Sequence, residues 1–309
     1  MKTIKPFKLC ASFCLPAILF AAVFVSCMKK EAAVQESGAI TDSLGRKYVL
    51  GESPQRIVSL VPAVTEILFA IGAGEKVAGV TEYCDYPPEA LARPSVGGFS
   101  GATISMEQIR VLRPDLVLLS ADMHIRVVSL LDALDIPSFA LEPFNFREVY
   151  ETIALIGKLS GCDEKAEEVI SEMKRKISGV EERIGGQEPV NVFWVLSEDP
   201  LITAGGETFV SEAISLGGGV NIFGDLKERW PSVSFEQVLL RNPRWIIFGN
   251  DLGDGALFLE KNPLWQKIPA VAEGRFTAVN ADLFYRYGPR LADGVIAISE
   301  KLHPLGLLP

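Results

Sequence analysis

The stretch Ser105-Met-Glu-Gln-Ile-Arg-Val-Leu-Arg-Pro-Asp-Leu-Val-Leu-Leu119 has the pattern of a capped helix followed by a buried strand. Ser105 can cap the helix, and Gln108 stands three residues later, as in a capping box. The run that ends at Leu119 is continuously apolar, which is typical of a strand buried on both faces of a parallel sheet. This stretch therefore predicts one helix–strand unit of an α/β fold.

The same pattern returns 129 residues later, without gaps, in Ser234-Phe-Glu-Gln-Val-Leu-Leu-Arg-Asn-Pro-Arg-Trp-Ile-Ile-Phe248. Ser, Glu, Gln and Pro are identical in the two copies, and most other positions match in apolarity. The repeat predicts two lobes of similar build. It also places Glu107 and Glu236 at the same position, second after the cap. An acid in a first helical turn suits the helix dipole, but two matched acids could also be recognised by paired arginines of a two-fold symmetric partner.

Outside the repeat, strand and helix patterns alternate on both sides of one long amphipathic segment. Its apolar residues recur at helical steps over about 22 residues, or roughly 33 Å of helix, and Asp163 is positioned to cap it. We expect an N-terminal α/β lobe at 53–160, a connecting helix at 161–187 and a C-terminal α/β lobe at 188–309. The predicted fold class is α/β, with two Rossmann-like lobes joined by a single long α-helix. The alternative is an ordinary surface helix packed on one lobe.

The N-terminus has the features of an export signal. Three lysines among the first eight residues precede the apolar run Leu9–Val25, and this run ends in Phe24-Val-Ser-Cys27. A small residue before a cysteine resembles a bacterial lipoprotein cleavage site. We expect a signal peptide at 1–26, lipidation at Cys27, and a tether with the first strands at 27–52. An uncleaved anchor is the alternative, and either form places the protein outside the cytoplasm, attached to a membrane.

Composition and missing motifs narrow the function. The chain has 39 acidic and 30 basic residues and no basic stripe, so we expect no nucleic-acid partner. The sequence has no phosphate loop, no dinucleotide-binding glycine motif and no Gly-x-Ser-x-Gly elbow. Its only histidines, His124 and His303, cannot form a three-histidine metal site. An enzyme of a common class is therefore disfavoured, and we expect no catalytic residues, no cofactor and no metal site.

Two cysteines, Cys84 and Cys162, remain beyond the export signal and the lipidation site. In an oxidising compartment they could form a disulfide, and two free buried thiols are equally compatible with the sequence.

Aromatic residues collect in loops that follow predicted strands. Ligands of open α/β sheets bind at the carboxyl ends of the strands, so aromatic rings from both lobes predict a cleft suited to a large flat ligand. Local packing under each loop is the alternative. The residues concerned are Tyr83, Tyr86, Phe99, Trp230, Phe284, Tyr285 and Tyr287.

From about Ala39 to Pro309 the chain resembles the periplasmic substrate-binding proteins of ABC importers that have two α/β lobes and one rigid connecting helix. That group takes up cobalamin, haem and ferric siderophores. The resemblance rests on four stretches: Arg56-Ile-Val-Ser-Leu-Val-Pro-Ala-Val-Thr-Glu66, Asp85-Tyr-Pro-Pro-Glu-Ala90, Arg113-Pro-Asp-Leu-Val117 and Trp230-Pro-Ser-Val-Ser234. It implies a binding protein that is not an enzyme and that works with an ABC permease dimer and its ATPase.

Within this group the chain looks most like the cobalamin-binding proteins. The resemblance implies permease docking by Glu107 and Glu236, and it implies a corrinoid ligand. Ser120 replaces a Trp of the close cobalamin-binding relatives, so part of their aromatic cage is missing. The ligand-binding residues that we expect are Tyr86, Phe99, Trp230, Asp282, Tyr285 and Arg286.

Two other ligands and one other class of protein stay open. Haem is an alternative, because haem-binding members use a Tyr before Pro as the iron ligand and Tyr86 stands before Pro87. A ferric siderophore is a second alternative, since such ligands favour basic cleft residues and Arg286 and Arg290 are available. A bilobal enzyme that resembles a tetrapyrrole chelatase is the alternative from another class.

Overall fold

The computed structural model describes residues 38–252 and 255–304, with the backbone alone at 255–257. The predicted signal peptide, Cys27 and the first part of the tether lie outside the described residues. The described strands are β1 (Ala39–Thr41), β2 (Lys47–Val49), β3 (Ile57–Ser59), β4 (Val77–Val80), β5 (Leu116–Ser120), β6 (Ser138–Leu141), β7 (Val190–Val195), β8 (Ser197–Glu198), β9 (Leu201–Ile202), β10 (Gly219–Asn221), β11 (Trp245–Gly249) and β12 (Phe276–Val279).

The helices alternate with these strands, and short 3₁₀ turns supplement them. The described helices are α1 (Pro62–Ala70), α2 (Met106–Leu112), α3 (Ile125–Asp132), α4 (Phe146–Ser160), α5 (Asp163–Ile184), α6 (Phe209–Leu216), α7 (Phe235–Arg241), α8 (Gly255–Lys261), α9 (Pro269–Ala272), α10 (Asp282–Tyr285) and α11 (Leu291–Leu302). Within the described ranges, no helix combines the length and apolarity that a membrane span requires.

Two four-stranded parallel sheets carry the fold, and they have the same strand order. The first runs β4-β3-β5-β6 and the second β10-β7-β11-β12. In each, the first strand along the chain lies between the second and the third, which is a doubly wound arrangement. We call the first sheet with α1–α4 the N-lobe and the second sheet with α6–α11 the C-lobe. The α/β fold class predicted from the sequence is confirmed.

The two copies of the sequence repeat form matching helix starts. The Ser105 hydroxyl accepts a hydrogen bond from the Gln108 backbone N–H at 3.3 Å, and the Ser234 hydroxyl accepts one from Gln237 at the same distance. The Gln237 side chain also accepts from the Ser234 N–H at 2.8 Å, which completes a capping box. The box predicted at Ser105 forms only its first half, because no return bond from Gln108 is present at that cap.

The long helix α5 packs against both lobes, as α4 of the N-lobe and α11 of the C-lobe lie along it. Its buried stripe comprises Ala166, Ile170, Met173, Ile177 and Val180. One continuous set of buried apolar side chains runs from the N-lobe through this stripe into the C-lobe. The connecting-helix prediction is therefore correct, and the alternative of a helix packed on one lobe is wrong.

The start of α5 differs from the prediction. The cap position is Cys162, which makes no side-chain capping bond, and Asp163 is the first helical residue. Asp163 therefore acts through its charge in the first turn, where the helix dipole favours an acid. Polar contacts add to the junction with the C-lobe, since the Lys176 ammonium lies 2.5 Å from the Asp293 carboxylate.

Both cysteines among the described residues are free thiols. Cys84 is buried in the N-lobe, and Cys162 is half-buried at the start of α5. Of the two states that the sequence left open, the structure has the free thiols.

Because α4 and α5 are in close contact, a side chain added at Gly157 should destabilise the protein. A Cβ on Gly157 would lie 2.5 Å from the Ala166 Cβ, closer than two non-bonded carbon atoms can approach. We expect Gly157→Ala to lower the free energy of unfolding by about 1–3 kcal/mol, because the two helices must separate. Adding Ala166→Gly should recover part of this loss, and urea unfolding of the single and double variants measures the coupling.

Gly179 provides the matched control on α5, since a Cβ there meets open space. Gly179→Ala should raise the free energy of unfolding by about 0.5–1 kcal/mol, because alanine favours the helix. An equal gain at Gly157 would show that α4 and α5 do not pack as described.

Candidate functional site

A cavity of about 630 Å³ lies between the lobes, at the carboxyl ends of the strands of both sheets. Its N-lobe wall comes from the loops after β3, β4, β5 and β6, together with Phe99. Its C-lobe wall comes from the start of α6, the loop before α7, the end of β11 and the region after β12. The lining segments are residues 61–63, 83, 99, 120, 122–124, 142–144, 207–209, 229–230, 251, 282 and 285–287.

Five of the six residues predicted to bind a ligand line this cavity: Phe99, Trp230, Asp282, Tyr285 and Arg286. The sixth, Tyr86, does not. Its ring packs under the guanidinium of Arg290, whose central carbon lies 3.7 Å from the ring centroid. This cation–π contact holds Tyr86 at an inter-lobe junction beside the cavity.

Exposed aromatic rings concentrate at this cleft. In the described part of the chain, five aromatic side chains are at least 36% exposed: Tyr83, Tyr86, Phe99, Phe144 and Trp230. All except Tyr86 line the cavity, and the rings of Tyr83 and Phe99 meet edge to face at 5.7 Å. Exposed rings that collect in one concave site indicate a surface for an apolar or aromatic ligand.

His124 holds the Phe99 loop in place. It is fully buried, and its Nδ1 accepts a hydrogen bond from the Ser120 backbone N–H at 3.1 Å. Its Nε2–H therefore donates to the Phe99 carbonyl at 2.9 Å. Burial lowers the pKa of His124, so the imidazole stays neutral and keeps this tautomer. The role of this histidine is thus to position Phe99.

A buried ion network joins the lobes beside the cavity. Glu66 of α1 is only 2% exposed, and its carboxylate accepts hydrogen bonds from Arg286 at 3.1 Å and from Arg290 at 2.5 and 2.8 Å. Arg286 also binds Asp85 of the N-lobe at 2.7 Å and Asp282 at 3.0 Å. The two polar residues expected to contact a ligand are therefore already paired with each other and with the N-lobe.

This network favours the charged forms of Arg286 and Asp85. Burial alone would lower the pKa of Arg286, but its hydrogen bonds to Asp85 and Glu66 and the charge of Asp282 raise it. Partial burial would raise the pKa of Asp85, yet the hydrogen bond from Arg286 and the charge of Arg290 hold it below its usual value. The raised pKa of Arg286 and the lowered pKa of Asp85 both favour the closed inter-lobe contact at neutral pH.

A second inter-lobe contact involves Phe144 and Arg229. The Arg229 guanidinium lies over the Phe144 ring, 4.2 Å from its centroid. Nearby, the Phe146 backbone N–H at the start of α4 donates to the Glu212 carboxylate of α6 at 2.8 Å. Both arginines of the cavity wall, Arg229 and Arg286, are thus engaged across the lobes.

The cavity wall is rich in acid. Its five carboxylates outnumber its two arginines, and sequence reasoning had identified only Asp282 among them. Glu142 directly follows β6, and Asp122 and Asp251 stand two residues after β5 and β11, so the rule that ligands bind at strand ends could have identified these three. On the N-lobe floor, the Ser120 hydroxyl donates to Glu142 at 2.6 Å. The carboxylates are Asp122, Glu142, Glu207, Asp251 and Asp282.

Two tyrosines of the C-lobe wall stay protonated. Burial and then the charge of Asp251 raise the pKa of Tyr285. Burial and then the charge of Glu142 raise the pKa of Tyr287. Both hydroxyls are buried without a hydrogen-bond partner in the described residues. Those residues contain no group of three or more His, Cys, Asp or Glu side chains arranged to hold a metal ion.

Comparisons with a protein family, with a related sequence and with solved structures agree with one another. Residues 57–283 match the family described as periplasmic binding protein. The chain is 32% identical, over 93% of its length and 96% of the relative, to the uncharacterized ABC transporter substrate-binding lipoprotein YvrC of Bacillus subtilis.

Among solved structures, the periplasmic vitamin B12 binding protein BtuF of Vibrio cholerae is 31% identical, with a TM-score of 0.69 over 81% of this chain and 96% of that protein. The periplasmic heme-binding protein RhuT of Roseiflexus sp. RS-1, in its apo form, is 27% identical, with a TM-score of 0.70 over 80% of this chain and 98% of that protein.

The buried ion network predicts that loss of the Glu66 carboxylate strongly destabilises the protein. Glu66→Ala leaves two arginines without their buried acceptor, so we expect the free energy of unfolding to fall by about 3–5 kcal/mol. Glu75→Ala is the control, because the Glu75 side chain is 95% exposed in its pair with Arg93 and should contribute at most about 1 kcal/mol. Urea unfolding checks both variants, and similar small losses would contradict the inter-lobe role of Glu66.

Proposed function

Because the chain belongs to the periplasmic binding protein family, whose members bind substrates for transport and are not enzymes, we propose that it captures a corrinoid in the cleft between its lobes. It then delivers the corrinoid to the permease of an ABC importer. The enzyme alternative is set aside by the family itself. Extracytoplasmic location follows from the family, and a lipid anchor at Cys27 is part of the proposal, supported by the lipoprotein relative.

The observation that carries the ligand proposal is the concentration of exposed rings in one cavity. Four of the five exposed aromatic side chains of the described residues line it. Phe99 and Trp230 come from different lobes, so a flat macrocycle between the lobes contacts aromatic rings from both. Ring contact and apolar burial give affinity without any chemical step.

The charge of the cavity wall favours a corrinoid over the alternatives. Haem carries two propionate carboxylates, and ferric siderophores are commonly anionic, whereas the corrin ring of cobalamin carries neutral amide side chains. Four of the five wall carboxylates form no ion pair in the described residues and repel an anionic ligand, whereas Arg229 and Arg286 are already engaged. The wall carboxylates can accept hydrogen bonds from the N–H groups of such amides.

Haem remains the second candidate, on the similarity to a heme-binding protein. The iron ligand of the haem-binding members that the chain resembles is a Tyr before Pro, which Tyr86 matches. That ring is stacked under Arg290 and does not line the cavity, so iron ligation by Tyr86 requires this contact to open.

Delivery depends on Glu107 and Glu236 in this proposal. Both are exposed, and each lies in the first turn of its helix. Since α2 and α7 each lead from one parallel strand back to the next, both first turns lie at the carboxyl edge of a sheet, as does the cleft. Two matched carboxylates on this edge are suited to paired arginines of a permease dimer.

Loss of either wall aromatic should weaken binding. We expect Trp230→Ala and Phe99→Ala each to raise the Kd for cyanocobalamin about tenfold or more, because a buried ring contributes over 1.4 kcal/mol. Absorbance and tryptophan-fluorescence titrations with cyanocobalamin, haemin and a ferric siderophore measure this. Trp245→Phe is the control, since Trp245 begins β11 at the opposite edge of the sheet. Tight haemin binding without cyanocobalamin binding would contradict the corrinoid proposal.

Charge reversal at the two glutamates should separate capture from delivery. We expect Glu107→Arg with Glu236→Arg to reduce corrinoid uptake to background while the Kd in solution is unchanged. The control is Glu164→Arg with Glu182→Arg, which makes the same charge change on exposed positions of α5. Uptake by a reporter strain and titration of the purified variants measure both effects. If the docking variant also loses ligand binding, a folding defect explains it and the docking role fails.

A further inference from the structure

Two strongly exposed aliphatic side chains occupy equivalent positions of the internal repeat. Val111 of α2 is 66% exposed and Leu240 of α7 is 84% exposed. They are separated by the same 129 residues that relate Ser105 to Ser234. An isolated exposed aliphatic residue is ordinary on a protein surface, but these two recur at the same position in both copies of the repeat.

The two helices that carry these residues are built alike. Each has seven residues and is followed by a residue in the left-handed conformation, Arg113 with φ 47° and Asn242 with φ 46°. The inward residues also match, as Ile109 and Val238 are equivalent in the repeat and both are fully buried. The core contact of each helix is therefore supplied by another residue, and the fold does not need Val111 or Leu240.

Each exposed aliphatic residue shares a helix face with a glutamate of the docking proposal. Val111 follows Glu107 by four residues, and Leu240 follows Glu236 by four, a spacing that makes side chains neighbours on a helix. Each helix thus presents a carboxylate nearer the cleft edge and an aliphatic group about 6 Å along the axis. We call each such pair a docking patch, one formed by Glu107 with Val111 and the other by Glu236 with Leu240.

We propose that Val111 and Leu240 are apolar anchors for the permease dimer, each packing beside the arginine that binds the neighbouring glutamate. This inference rests on the proposed delivery function and extends its contact surface. Protein interfaces combine an apolar centre with charged groups that orient the partners. Two like patches on one chain require a partner that offers the same basic and apolar surface twice, which a two-fold permease dimer does.

The test compares two double variants in binding to the permease–ATPase complex of the importer, reconstituted in lipid nanodiscs. Val111→Asn with Leu240→Asn should raise the Kd for the complex about tenfold or more, with the cyanocobalamin Kd and the melting temperature unchanged. Val49→Asn with Val220→Asn is the control, because those valines are 67% and 46% exposed on strands outside the repeat. If Asn lowers the melting temperature, Val111→Ala with Leu240→Ala makes the same comparison.

The possible outcomes are distinct. An unchanged Kd in the Val111 and Leu240 variant overturns the anchor role, while failure of the wild type to bind the complex overturns the delivery function itself. If the wild type also binds empty nanodiscs and the variant does not, the patches are assigned to lipid binding. If the wild type is a dimer in solution and the variant is a monomer, the patches are assigned to contact with a second copy of the chain. Each of these last two results also overturns the proposal.

Discussion

The burial of one face of α5 against both lobes is the contact on which the rest of the structure depends. A continuous apolar core passes through this face, with Ala166 packed on Gly157 of α4 and the same stripe packed on α11. Because opening this contact would expose core side chains, the spacing of the lobes is fixed at one end of the cleft. The Glu66 ion network ties the lobes again beside the cavity. The cleft is therefore largely pre-formed before any ligand enters.

The two restraints, α5 and the Glu66 ion network, affect which ligand the cleft can bind. The arginines nearest the cavity are used to join the lobes, so little free positive charge remains to attract an anion. The wall retains exposed rings and carboxylates, a combination that favours a large ligand with apolar faces and uncharged hydrogen-bond donors at its edge. Pre-formation also means that less of the binding free energy is spent on ordering the protein.

Local features could be predicted from the sequence, and long-range pairings could not. The repeat at Ser105 and Ser234 predicted two lobes of similar build because capping and strand burial depend on neighbouring residues. The bond between Glu66 and Arg290 joins residues 224 positions apart, and no spacing rule identifies such a pair. For the same reason the sequence placed Tyr86 with the other aromatics, whereas its ring packs under Arg290 at the lobe junction.

The central claim is that a rigid, aromatic and acidic cleft selects a corrinoid. Equilibrium dialysis of the wild-type protein against equimolar cyanocobalamin and haemin tests it most directly, with each ligand quantified by its absorbance. We predict that one cyanocobalamin is retained per chain and that haemin stays at the concentration of the buffer. Retention of haemin in preference to cyanocobalamin would contradict the claim.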